Sequence, residues 1–128
     1  KPNTLFTAQF IGSPAMNILK GDCKNGNLTL SNNSVLKTSA KFNGKVSAGL
    51  RPEDFKIDDN GSIKLQVELV ELIGSSSLVH GRLENSDEIL VASISGVLED
   101  EIVGKKISLS FNTSNLHLFD TNSGQRIN

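Results

Sequence analysis

Residues 63–83 read Ile-Lys-Leu-Gln-Val-Glu-Leu-Val-Glu-Leu-Ile-Gly-Ser-Ser-Ser-Leu-Val-His-Gly-Arg-Leu. Ile63, Leu65, Val67 and Leu69 alternate with Lys64, Gln66 and Glu68, the two-residue period of a strand with one buried face. At Leu69 and Val70 the alternation slips, and the apolar parity passes to Val70 and Leu72 around Glu71. A one-residue slip turns a whole apolar set outward, so a β-bulge near Leu69 and Val70 is expected, keeping both halves inward. A bulged strand bends and lets a small sheet curl toward a barrel. Gly74 with the three serines after it supplies the turn into a second strand, Leu78 to Leu83.

Outward from this hairpin the pattern stays short and apolar. Before it come Met16 to Leu19, Leu28 to Leu30, Val35 to Leu36 and Val46 to Leu50, separated by Gly, Asn and Ser. Arg51-Pro52-Glu53-Asp54 breaks the last of these with a turn or a single helical turn, Pro52 fixing φ. Asn60-Gly61 reads as a hairpin turn into the central strand. After the hairpin come Glu88 to Ile94, an acidic loop from Gly96 to Gly104, the alternating Ile107, Leu109 and Phe111, and Leu116 to Phe119 before a turn ending at Gly124. Eight or more short strands with no helix between them predict an all-β class, a small barrel or sandwich of antiparallel strands. One short helix is expected ahead of them, from Pro2 to Ile11, where Phe6 and Phe10 stack at i, i+4 with Leu5 and Ile11 beside them. Gly12 and Ser13-Pro14 end it. The opening at Lys1-Pro2 without a methionine reads as a cut from something longer.

At 128 residues the chain has the length of one domain. Thirteen Lys and Arg stand against fourteen Asp and Glu, so the balance points toward neither nucleic acid nor an anionic membrane. The single Cys23 forms no internal disulfide and is read as an inert thiol in a reducing compartment. With no apolar run of membrane-spanning length and no signal peptide read, a soluble, cytosolic chain is expected. Four Asn-x-Ser/Thr matches, at Asn27, Asn32, Asn60 and Asn112, are what an Asn- and Ser-rich sequence gives by chance.

The motifs of chemistry do not assemble. Neither Gly44-Lys45 nor Gly104-Lys105 has a glycine five positions before its own, or a Ser or Thr after its Lys, so no phosphate-binding loop is encoded. His80, read as outward-facing in a strand, and His117 are too few for a metal set with one Cys. Asp54, Asp58, Asp59 and Asn60 miss the spacing of a calcium loop. The absence of Trp and Tyr, with six Phe in apolar positions, argues against oligonucleotide stacking, and no nucleic-acid partner is expected.

Four segments follow one another in a suggestive order: Phe10-Ile-Gly-Ser-Pro-Ala-Met-Asn-Ile-Leu19, Gly49-Leu-Arg-Pro-Glu-Asp-Phe55, Val67-Glu-Leu-Val-Glu-Leu-Ile-Gly-Ser75, and Leu116-His-Leu-Phe-Asp120 with Gly124. Together they resemble the C-terminal regulatory domain of ATP-binding subunits of bacterial ABC importers for sugars, glycerol phosphate and similar solutes, the maltose-importer group. The region from Gly21 to Lys41 carries no such match.

The resemblance implies an OB-like barrel of the type called TOBE over residues 15–128, with residues 1–14 as the last helix of an upstream ATPase domain. ATP and Mg would bind upstream, with no catalytic residue, cofactor or metal site in this stretch. Implied partners are a second copy, the ATPase domain, permease subunits and a possible cytosolic regulator, at the cytoplasmic face of the inner membrane. The residues expected to make partner or interdomain contacts are Gly49, Arg51, Pro52 and Glu53. There Arg51 and Glu53 either serve a partner or merely pair across the turn or cap its backbone. The alternative, from related TOBE domains, is a module that binds a small oxyanion such as molybdate.

Overall fold

The computed structural model describes residues 16–98 and 100–128; the expected helix from Pro2 to Ile11 and its boundary at residue 14 lie outside them. The described residues are all-β, with ten strands and three single 3₁₀ turns. The strands are β1 (Asn17–Lys24), β2 (Asn27–Leu30), β3 (Val35–Lys37), β4 (Gly44–Leu50), β5 (Phe55–Ile57), β6 (Ile63–Ile73), β7 (Ser76–Leu83), β8 (Ile89–Ser95), β9 (Lys106–Phe111) and β10 (His117–Asp120). They form two five-stranded antiparallel sheets, ordered β10-β4-β1-β2-β3 and β5-β9-β6-β7-β8. In the second sheet β8 comes back against β5 and the 3₁₀ turn Pro52–Asp54 before it, so its two edges approach each other.

One core joins the sheets. Leu19, Leu28, Val46 and Leu118 from the first pack in the same cluster as Ile63, Leu65, Val79, Leu90 and Leu109 from the second. The alternation read in β6 holds for its first half, where Ile63, Leu65 and Val67 are buried. The bulge is present one residue earlier than expected: Val67 pairs with Gly81 and Leu69 with His80, leaving Glu68 as the extra residue. Gly81 is there because a Cβ would strike the Gln66 carbonyl across the ladder. Beyond the bulge the expected burial of Leu69, Val70 and Leu72 is met only by Val70, which packs on the core, whereas Leu69 is 49% and Leu72 56% exposed. The physical reason is length, since β9 pairs with β6 only from Ile63 to Gln66 and the rest of β6 runs past the core.

Two turns correct the reading of Asn-Gly. The two-residue connection that closes a hairpin is Asn25-Gly26, with φ of +52° and +80°, between β1 and β2. Both central residues in the left-handed region is the turn whose twist matches that of the strands. β1 accordingly runs on to Lys24, beyond the Leu19 limit expected for it. Asn60-Gly61 closes no hairpin, because β5 and β6 do not pair; β9 lies between them and pairs with both. Gly61 is required there by close approach, since a Cβ would run into the backbone of Leu109. Gly74, at φ +60°, opens the expected β6–β7 turn.

Candidate functional site

The segment from Gly49 to Asp54 carries the chain from the first sheet into the second. Gly49 lies in the middle of three strands, opposite Ile18 of β1 and His117 of β10. The Met16 side chain lies where a Cβ would be, and the Phe119 ring comes within 3.5 Å of that position. Only a glycine leaves this space. Leu50 then points into the core.

Arg51, the residue before proline, is held extended at φ −78° and ψ 152°. Its N–H donates to Oδ2 of Asp54 at 2.9 Å, and the Asp54 N–H returns to the Arg51 carbonyl at 3.0 Å. The turn is thus capped by its own carboxylate, from Asp54 and not from Glu53. Pro52 is buried against β8, while the side chains of Arg51 and Glu53 are exposed. Among the described residues neither forms an ion pair. Of the three roles expected for them, pairing across the turn is therefore absent among those residues, and the turn's cap is made by Asp54 instead. The structure brings all four named residues together and leaves Arg51 and Glu53 outward. Phe55, the next buried residue, packs edge-on against Phe111 with ring centres 6.2 Å apart.

Asn17 fastens this junction, and the reading of the sequence passed over it. The residue is 4% exposed. Nδ2 donates to the Leu50 carbonyl at 3.2 Å and to the Val91 carbonyl at 2.9 Å, and the Val91 N–H donates to Oδ1 at 2.9 Å. One side chain from β1 so ties the end of β4 to β8 of the other sheet. A single Asn at the start of an apolar run carries a turn signal, which hides such a role. A second tie is made by Glu88, whose carboxylate accepts from the Lys20 N–H at 2.8 Å and from the Ser31 hydroxyl.

His80 was expected to face outward; its side chain is 13% exposed and its Nε2 lies 2.6 Å from Oε1 of Glu71. Cys23 is buried, and desolvation pushes its thiol pKa above the ordinary 9.0, which suppresses the nucleophilic thiolate. Among the described residues no three His, Cys, Asp or Glu are grouped to hold a metal ion.

Comparison with known proteins places this geometry. Residues 48–119 match the model of the TOBE domain, and residues 12–55 match that of the MalK OB fold domain. The second match runs through Gly21 to Lys41, the stretch in which no family pattern was read. The sn-glycerol-3-phosphate import ATP-binding protein UgpC of Ruegeria pomeroyi is 40% identical over 127 residues, which is 99% of this chain and 36% of that protein. UgpC of Escherichia coli O1:K1 / APEC is 34% identical over 137 residues, 99% of this chain and 37% of its own length. The chain thus spans little more than a third of these curated relatives. Among solved structures, the molybdate-bound cytoplasmic molybdate-binding protein ModG superposes with a TM-score of 0.59 at 15% identity, over 80% of this chain and 94% of that one. At that identity the likeness is one of fold.

Proposed function

The chain belongs to the TOBE domain family, and from that membership we propose that it is the C-terminal regulatory and dimerisation domain of an ABC importer's ATP-binding subunit. The solute is glycerol 3-phosphate, a sugar or a similar small molecule. The observation that carries this reading is full-length similarity of the chain to one third of UgpC, at 40% identity. The domain does no chemistry itself. ATP and Mg are bound by an ATPase domain ahead of residue 15, permease subunits transmit its motion, and the assembly sits on the cytoplasmic face of the membrane. Two copies meet through this domain and hold the ATPase domains together as they open and close, and a cytosolic regulator docks on it. The segment from Gly49 to Glu53 suits such a role: a rigid, self-capped turn that presents Arg51 and Glu53 outward.

The test uses the parent protein assembled with its permease. ATP hydrolysis is expected only there and not from the 128-residue chain, and reversal of Arg51 and Glu53 to the opposite charges is expected to lower transport without unfolding the domain. A parent gene that encodes no nucleotide-binding domain upstream would overturn the reading. Sedimentation of the chain at micromolar concentration reads dimerisation separately. The second reading, a module that takes a small oxyanion, is the weaker, since the likeness to ModG is one of fold alone; calorimetry against molybdate separates the two, and heat of binding supports the module.

A further inference from the structure

The near-neutral total conceals a segregation of charge. Residues 17–50, which supply β1 to β4, hold five lysines and one aspartate, whereas residues 51–128 hold seven cations against thirteen carboxylates. Strand register then puts most of those lysines on one face. In β1 the inward residues are Asn17, Leu19 and Cys23, so Lys20, Asp22 and Lys24 point outward together. Residues paired across an antiparallel ladder share a face. Lys45 stands opposite Asp22, and Lys37 stands opposite Asn27, which is itself opposite Lys24. The outer face of the first sheet therefore carries Lys20, Lys24, Lys37 and Lys45 around Asp22, and the Glu88 carboxylate reaches its border, accepting from the Lys20 N–H and the Ser31 hydroxyl. Neighbours within a row are about 5 Å apart, and rows on one face repeat about every 7 Å. All four lysines are exposed, and among the described residues none is in an ion pair. Between Lys20 and Lys45 lies a groove of about 480 Å³, lined also by Asp22, Thr29, Asn33 and Thr121, with Lys24 and Lys37 outside it.

We propose that this face docks an acidic segment of a partner protein. Uncompensated like charge on a sheet face is unfavourable to the folded chain alone and is offset when carboxylates arrive opposite it. The partner is a protein and not a phosphate polymer, because Asp22 stands in the middle of the lysines. A continuous run of phosphates would be repelled there, while a polypeptide can place a neutral or basic residue opposite it. Thr29 and Asn33 offer hydroxyl and amide groups for a peptide backbone. The aromatic side chain in these rows, Phe119, stands at the margin and is half-buried, which gives bases no platform. The inference gives a chemistry to the regulator contact proposed above and rests on that reading for its setting. Its test reads binding and not ATP hydrolysis, so the two fail separately.

The probe is a fluorescein-labelled oligoglutamate peptide, titrated with the chain at low salt and followed by fluorescence anisotropy. Lys24→Glu with Lys45→Glu is expected to weaken binding by at least about tenfold, and the charge-matched control, Lys56→Glu in β5 with Lys105→Glu just ahead of β9, by less than about twofold. Lys24→Arg with Lys45→Arg keeps the charge and is expected to keep the affinity, which guards against a variant that fails to fold. Binding is expected to fall steeply with added salt. Equal losses in the two charge-reversed pairs overturn the proposal, and so does tighter binding to phosphatidylglycerol vesicles or to a single-stranded oligonucleotide than to the peptide.

Discussion

Asn17 concentrates what single residues contribute to this fold. A buried amide that satisfies two carbonyls and one N–H leaves all three unpaired when it is removed. Each such group costs of order 1–3 kcal/mol without a partner, although water can reach some of them after truncation. Asn17→Ala is therefore expected to destabilise the chain by about 2–3 kcal/mol in urea titration; a loss below about 0.5 kcal/mol would mean the clasp is incidental. Legibility at this scale follows from what each residue signals on its own. Gly49 and Pro52 could be singled out because a glycine in a strand and a proline after it announce backbone constraints. Asn17 could not, because its three partners come from residues far along the chain and its side chain resembles a turn former until they are in place. The partner role of Arg51 and Glu53 is likewise a matter of where they point, which only the capped turn defines.

At the scale of the strand, β6 holds both the success and the failure of pattern reading. Period-two alternation identified its buried half, and the slip in that alternation marked a bulge to within one residue. The slip did not say where the covering sheet stops. Leu65 and Leu72 fit the same pattern, yet Leu65 is wholly buried and Leu72 is more than half exposed. Leu65→Ala is expected to cost about 2–5 kcal/mol, whereas Leu72→Ala is expected to lie within about 0.5 kcal/mol of the parent chain. Comparable costs for the two would return Leu72 to the core and contradict the end of β9 at its observed place. The misplaced hairpin has the same root. Asn60-Gly61 has the local chemistry of a hairpin turn, but the strands it joins are separated by β9, and no local signal reports a strand inserted from later in the chain. β5, at three residues, is too short to show a period at all.

Across the whole molecule the two sheets share their interior. Leucines and valines of both belong to one cluster, and the Asn17 and Glu88 ties cross between them. One cooperative unfolding transition is expected, with the calorimetric enthalpy equal to the van't Hoff value, and two resolved transitions would show that the sheets are separable. The all-β class was legible because it follows from many repeated local patterns. The segregation of charge was not, since counting residues over the full chain cancels what strand register sorts onto opposite sheets.

The insertion of β9 between β5 and β6 also governs the order of assembly. While the protein is still emerging from the ribosome, β6, β7 and β8 can zip together as neighbours in time, but β5 has no mate and β6 keeps one side bare. Both wait for a rib that is translated only after the meander is complete, and β4 waits longer still for β10. The nascent protein therefore passes through a stage with three unsatisfied strand margins, on β4, β5 and β6.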